Sequence, residues 1–328
     1  MAGRNPADPG DLSSLDPHAA RLLAMLAASA ASSGVQPDLL ARRKSFSELM
    51  RLGMCAEPVA RVRDFALDHA TGSITLREFV PESLLTQPPP ALLYLHGGGL
   101  MAGDLDTHDA LCRALANGIG CAVIAIGYRL APEHPFPAAI EDALAAMRWC
   151  VLNADALGID SRRIAIGGDS AGAHLAAVAC QQLCQGAGPR PLLQLLLCPI
   201  LDLDADTHSR RRWGSGYLLE MRDLVQQVRE YLPGDVAASD YRTAPLRAGR
   251  LHALPATLIH AAQFDPMRDE AESYAARLRE AGVDVHYTCH AGMIHLFYAL
   301  GAVIPYAKRA LVQMTAQLRP LMSGGERP

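Results

Sequence analysis

Residues 163–172 read Arg-Ile-Ala-Ile-Gly-Gly-Asp-Ser-Ala-Gly. The first five make a short apolar run of strand length, and residues 171–185 beyond them carry apolar side chains at helical spacing. Between the two lies Gly168-Asp169-Ser170-Ala171-Gly172, a G-x-S-x-G turn joining a strand to a helix. Such a turn is cramped. Only glycine-sized residues two places to either side of the serine let the backbones approach, and the constraint pushes the hydroxyl out beyond the sheet edge. A glycine-rich turn cradling a phosphate at a helix start is the competing reading, and the strand leading into this turn favours the serine.

A serine hydroxyl becomes a strong nucleophile only when a base takes its proton, and that base needs a carboxylate to orient it. Behind an elbow of this kind the order along the chain is Ser, then Asp or Glu, then His, with the acid after a late strand and the histidine after the next. Asp265 follows the apolar run 256–261 in Gln263-Phe264-Asp265-Pro266, and His295 follows the run 283–289 in Gly292-Met293-Ile294-His295-Leu296-Phe297. Asp269 and Glu270 compete for the acid role. They fall in the first turn of the next helix, where a carboxylate suits the dipole and reads as a cap or a brace. His286 and His290 belong to the preceding strand or its end. Catalytic roles are therefore expected for Ser170, Asp265 and His295.

Upstream, His96-Gly97-Gly98-Gly99 follows the apolar run Ala91–Leu95. Attack on a carbonyl puts negative charge on its oxygen, and fixed backbone amides stabilise that charge without reorganising. Gly98 with either Gly97 or Gly99, joined by Ala171 after the serine, are the expected donors of an oxyanion hole. His96 reads as a hydrogen-bonding residue that shapes the loop.

Strand-like runs at 91–95, 121–126, 163–167, 192–198, 256–261 and 283–289 alternate with helical stretches at 106–117, 137–153, 171–185, 266–281 and 303–318. That rhythm predicts an α/β fold, a largely parallel sheet covered on both faces. Two alternating segments, 59–67 and 73–80, suit antiparallel strands, and two helices precede them within 16–53. Residues 202–240 break the rhythm, being longer and more polar than a usual connection yet holding a helical piece at 219–231, and read as an insertion over the site. The tail 323–328 reads as frayed.

With 328 residues, 50% hydrophobic and 20% charged, the chain suits one soluble catalytic domain. A net charge of −4 with both signs interspersed excludes the clustered basic footprint of a nucleic-acid binder. Arg210-Arg211-Arg212 is the densest cationic run and reads as a solvated loop. Residues 1–17 are polar without an apolar core, which predicts a cytoplasmic protein, and no apolar run approaches membrane-spanning length. The cysteines at 55, 112, 121, 150, 180, 184, 198 and 289 read as reduced; Cys180 and Cys184 have a ligand-like spacing but no second pair, so no metal is expected.

Taken in order, His96 to Gly99, Gly103-Asp104 with His108-Asp109, the run from Tyr128 to Ala138, Gly168 to Gly172, Asp265-Pro266 and His295-Leu296-Phe297 resemble the hormone-sensitive-lipase-like bacterial carboxylesterases of the α/β-hydrolase fold, in the branch whose elbow reads GDSAG. The resemblance covers most of the chain after about residue 90. It implies hydrolysis of short- to medium-chain acyl esters without a cofactor, beneath a helical cap. The cap would comprise 1–53 and 202–240, with the catalytic domain at 54–201 and 241–328. Glu133 and His134 lie in a stretch whose family role is structural. Relatives carry a second glycine after the elbow; here stands Ala173, whose methyl should tighten helix packing. Leu100 and Met101 beside the glycine loop, with Trp213, Tyr217, Leu218 and Met221 on the insertion, are the expected substrate-site residues. A small-molecule ester is the expected partner, and a homodimer through the last strand is a further expectation. The same triad acting on amides, thioesters or lactones is an alternative. A binding protein built on this fold is another, disfavoured because His295 is present.

Overall fold

Residues Ala91–Leu95 are apolar at every position because this strand is buried on both faces: Leu92 and Tyr94 enter one apolar layer, and Ala91, Leu93 and Leu95 the other. The computed structural model describes residues 14–30, 38–53, 55–186, 188–234 and 240–323. Part of the expected insertion (235–239), the tail 324–328 and residues 1–13 lie outside the described residues.

The strands are β1 (Arg61–His69), β2 (Gly72–Val80), β3 (Ala91–Leu95), β4 (Ala122–Gly127), β5 (Ile164–Asp169), β6 (Leu193–Leu197), β7 (Ala256–Phe264) and β8 (Val285–Ile294). They form one sheet in the order β1-β2-β4-β3-β5-β6-β7-β8. β2 runs antiparallel to both neighbours; the ladders from β4 to β8 are all parallel, with Leu93 opposite Ile124 on one side and Ile166 on the other. The helices are α1 (Pro17–Ala30), α2 (Leu39–Met50), α3 (Asp109–Ile119), α4 (Ala138–Leu152), α5 (Ala154–Leu157), α6 (Ala171–Gln185), α7 (His208–Trp213), α8 (Met221–Tyr231), α9 (Arg268–Glu280) and α10 (Tyr306–Ser323). Buried side chains of α3 and α10 fill one layer, and those of α4, α6 and α9 fill the other. This is the α/β arrangement that the alternation of runs predicts.

After β3 the chain goes to β4 on one side and then returns to place β5 on the other. The connections leaving β3 and β5 therefore diverge, and a crevice opens at the carboxyl ends of the two strands. His96 follows β3, and Ser170 follows β5. The topology alone puts the glycine loop beside the elbow.

The boundaries depart from expectation in the last two strands. β7 and β8 run on to Phe264 and Ile294, because the sheet edge exposes one face of β8 and its polar positions still carry a ladder. Helix α7 was not expected. It is six residues long without an apolar stripe, and Thr207 caps it by accepting a hydrogen bond from the Arg210 amide. The cationic run is not uniformly solvated: Arg210 is buried and its Nε donates to the buried Glu270 carboxylate at 2.7 Å. Glu270 also accepts the Leu201 and Asp202 amides, each at 2.9 Å, and Asp269 accepts the Ser209 amide at 2.7 Å. These carboxylates at the start of α9 brace the segment that leads into α7.

Candidate active site

Ser170 has φ 53° and ψ −116°, a conformation disfavoured for a residue with a side chain, and it is held there by its neighbours. A methyl on Gly168 would stand 2.6 Å from the carbonyl carbon of Gly172, and one on Gly172 would stand 2.6 Å from the carbonyl carbon of Leu95. The two glycines are where α6 crosses the end of β3. The Ser170 amide donates to Leu197 O at 2.8 Å, and the hydroxyl is left at the strand end facing a histidine.

That histidine is His295. Its Nε2 lies 2.9 Å from Ser170 Oγ, and its Nδ1 lies 2.8 Å from Asp265 Oδ2. The other Asp265 oxygen accepts the Met267 amide at 2.8 Å, so the carboxylate presents one defined oxygen to the ring. An acceptor opposite Nδ1 keeps the proton there and leaves the Nε2 lone pair for the serine hydroxyl. All three side chains are buried. The structure brings together the three residues expected to act in concert, though they lie 125 and 30 positions apart in the chain.

The glycine loop is ordered one peptide plane at a time. Since a trans peptide points its C=O and N–H in opposite directions, fixing each carbonyl aims the next amide. The Tyr128 hydroxyl donates to His96 O at 2.7 Å, and the Gly97 amide on that plane points to His108 Nε2 at 3.3 Å. Gly97 O is bonded by His96 Nδ1 at 2.8 Å, which turns the Gly98 amide the other way. Gly98 O accepts the Met101 and Ala102 amides at 3.2 and 2.9 Å, and this aims the Gly99 amide. Gly98 and Gly99, with φ of 126° and 65°, line the cavity that holds Ser170 and His295, and Gly97 does not. Ala171 follows the serine at the start of α6.

His96 keeps this geometry as a neutral ring. Burial, reinforced by the nearby His108, pushes its pKa down to about 4. Asp169 underlies the loop and was missed, being only the variable position of the turn. It is fully buried, accepts Tyr94 Oη–H at 2.8 Å and lies 3.3 Å from His108 Nε2. Burial pushes its carboxyl upward, but His108 and the Tyr94 hydroxyl outweigh that and hold it below the usual range. A methyl on Gly97 would collide with this carboxylate, which explains a glycine there.

The cavity over Ser170 and His295 measures about 140 Å3. Met101 and Leu218 line it, as expected; Leu100, Trp213, Tyr217 and Met221 do not. Leu100 is turned into the core by a φ of 67°. Trp213 is fully buried, edge-on to Phe264 and Tyr217 at 4.9 Å each, and Tyr217 stacks on the same Phe264. Met221 packs against Gly214. The cavity wall that sequence reasoning missed comes from α2, through Leu39, Arg42, Phe46 and Leu49, and from α8, through Leu224 and Gln227. The spacing of Leu39, Phe46 and Leu49 marked a helix, and the same stripe faces the cavity.

Glu133 is exposed and bonded to both terminal nitrogens of Arg43, at 2.8 and 2.7 Å. That contact holds its carboxyl low, at about 2, and makes it a strut between α2 and the loop after β4. Cys198, Asp265 and His295 form the one cluster of metal-ligating side chains found among the described residues, within 4.8 Å of one another. Within it Asp265 and His295 are committed to one another at 2.8 Å, and burial pushes the Cys198 thiol well above its ordinary range.

A family model described as the alpha/beta hydrolase fold matches residues 92–299. Carboxylic ester hydrolase LipN of Mycobacterium tuberculosis is 42% identical over 273 residues, covering 80% of this chain and 72% of that protein. Ethyl acetate hydrolase of Pseudomonas putida is 42% identical over 230 residues, covering 70% of this chain and 72% of its own. Among solved structures, the hyperthermophilic esterase of Pyrobaculum calidifontis superposes with a TM-score of 0.88 at 33% identity, covering 95% of this chain and all of that one.

Proposed function

Because the chain belongs to the hormone-sensitive-lipase-like esterases of the α/β-hydrolase fold and is a carboxylic ester hydrolase, we propose that Ser170, His295 and Asp265 carry the reaction. Ser170 Oγ attacks the ester carbonyl while His295 Nε2 takes its proton. The amides of Gly98, Gly99 and Ala171 receive the oxyanion. The alcohol leaves with the proton returned by His295, and an acyl-Ser170 ester remains. Water, deprotonated by the same nitrogen, then attacks the acyl carbon, and His295 returns that proton to Ser170 Oγ as the acyl–oxygen bond breaks and the acid leaves. The observation that carries this reading is the unbroken relay from Ser170 Oγ to His295 at 2.9 Å and from His295 to Asp265 at 2.8 Å.

Residues 1–53 and 202–240 act as the cap in this reading, supported by the cavity wall drawn from α2 and α8. An apolar space of about 140 Å3, well below that of a drug-sized site, suits short- to medium-chain acyl esters. The test is turnover of 4-nitrophenyl esters of increasing chain length by the native protein and Ser170→Ala, with a fluorophosphonate probe for the nucleophile. Turnover by Ser170→Ala at the native rate, or a probe that leaves Ser170 unmodified, refutes it.

Two further parts of the proposal rest on less chemistry. β8 ends the sheet and pairs only with β7 among the described residues, and apart from Gly292 O, which accepts the Asp16 amide, its outer edge suits a second copy in a homodimer; sedimentation tests this. Cysteines that are free, and mostly buried, suit the reducing cytoplasm, which fractionation of cells checks. No helix among the described residues is long and apolar enough to cross a membrane.

A further inference from the structure

Arg42 and Arg43 are adjacent on α2 and both line the catalytic cavity, but their donors are used differently. Arg43 has a partner at every nitrogen: Nε donates to Met101 O at 2.7 Å, and the terminal nitrogens to Glu133 and Ala131 O. Arg42 commits only Nη2, which donates to both Glu230 oxygens at 2.9 and 3.2 Å. Its Nε and Nη1 are buried and have no hydrogen-bond acceptor among the described residues. Buried donors on a charged group are costly to leave unmet, and native structures supply them with partners. Around these two the cavity wall is mostly apolar, built from side chains such as Leu39, Phe46, Leu218 and Leu224, with Gln227 the other polar side chain apart from Ser170 and His295.

We infer that Arg42 is a specificity-determining residue, and that the substrate is an ester bearing a second oxygen acceptor, a carbonyl or carboxylate, at the end remote from the scissile bond. This deepens the ester-hydrolase reading above and rests on it. Arg42 touches no reacting atom in this scheme. It selects among esters that the triad attacks with equal chemistry, because an apolar ester leaves Nε and Nη1 of this cavity-lining residue unpaired and an oxygen-bearing one satisfies them. Glu230 holds the guanidinium in place from the other side and balances its charge, so a neutral carbonyl serves as well as an anion.

The test compares esters that differ by the acceptor alone: 4-nitrophenyl levulinate against pentanoate, mono-4-nitrophenyl glutarate against hexanoate and, on the alcohol side, 3-oxobutyl acetate against butyl acetate. For the native protein kcat/KM should favour the acceptor-bearing member of at least one pair about ten- to a hundredfold, the range of a hydrogen bond to a charged group. Arg42→Met should level that ratio, lowering the oxygen-bearing member and relieving the apolar one, and Arg42→Lys should restore part of it. Glu230→Gln, which spares the guanidinium, should keep the preference. If no pair shows a preference, or if Arg42→Met lowers both members equally, the inference is overturned: water satisfies the donors, or Arg42 is merely structural. If pentanoate, hexanoate and butyl acetate are not hydrolysed at all, the ester-hydrolase reading itself fails, a result distinct from either.

Discussion

Replacing Gly172 by alanine tests whether the elbow is a steric device. The added methyl carbon would stand 2.6 Å from the Leu95 carbonyl carbon and closer still to the Leu95 and His96 carbonyl oxygens. Two carbons need about 3.5 Å, so α6 must retreat from the end of β3 by about 1 Å. The atoms in the way belong to the residues that open the glycine loop, and α6 begins directly after Ser170, so the retreat moves the nucleophile relative to the amides. A displacement of that size costs about 100-fold in rate, and overpacking a buried site costs about 1–3 kcal/mol of stability. The readouts are kcat/KM on 4-nitrophenyl butyrate and the urea midpoint. Ala173, one position on, is the internal control. It is buried in α6, and Ala173→Gly should cost about 1 kcal/mol of helix stability with activity nearly kept. Native activity in Gly172→Ala, or equal damage from both substitutions, would refute the steric account.

In Asp265→Asn the carbonyl oxygen should stay on the Met267 amide, so the new NH2 faces His295 Nδ1, forces the proton onto Nε2 and blocks acceptance from Ser170. kcat should fall about 10⁴-fold, the figure known for this exchange in a serine-protease triad, with KM little changed; a loss under about tenfold would count against the assigned tautomer. Arg210→Met strands Glu270, whose carboxyl burial has pushed up to about 7 even with Arg210 beside it. Destabilisation of about 3–5 kcal/mol is expected in urea melts near neutral pH. Because the folded pKa lies above the unfolded value of 4.5, and rises further without Arg210, this loss should shrink toward pH 5 and grow toward pH 8; the opposite trend would defeat the reasoning. His96, His174 and His290 are pushed by burial from 6.5 down to about 4. The stability that neutral rings contribute is complete above pH 6.5 and lost as pH falls toward 4, at about 1.4 kcal/mol per unit for each; stability flat from pH 6.5 to 4.5 would be inconsistent with it.

The parts of this molecule that were legible in the sequence are those in which one residue type is the sole physical solution. Gly168 and Gly172 are such positions, and so is the fully apolar β3, which no alternating strand could replace in a sheet covered on both faces. Asp265 and His295 were legible for a topological reason, since each ends a parallel strand on the side where Ser170 emerges. The cavity was not. An apolar side chain on a helix declares that it avoids water but not whether it meets the core or the substrate: Trp213 and Tyr217 found Phe264 on β7, while Leu39 and Phe46 found the space above Ser170. Arg210 misled for a related reason. A cationic run reads as solvated until its carboxylate is located, and Glu270 lies 60 residues downstream.

Met101 is where the cavity wall and the Gly98–Gly99 loop become one mechanical unit. Its N–H donates to Gly98 O, which aims the Gly99 amide; its C=O accepts Arg43 Nε from α2; its side chain faces the cavity. Arg43 in turn is clamped by Glu133 in the loop after β4. Alongside the packing of Phe46, Leu49 and Met50 on the core, the helix is thus held by polar contacts to the loops after β3 and β4. Arg43 therefore ties α2 to the residue whose amide fixes Gly98 O. A displacement of α2 would act through the Met101 carbonyl on that residue and so on the Gly98–Gly99 peptide plane. The cavity wall and the Gly98–Gly99 peptide plane are therefore joined by covalent geometry, within a single residue.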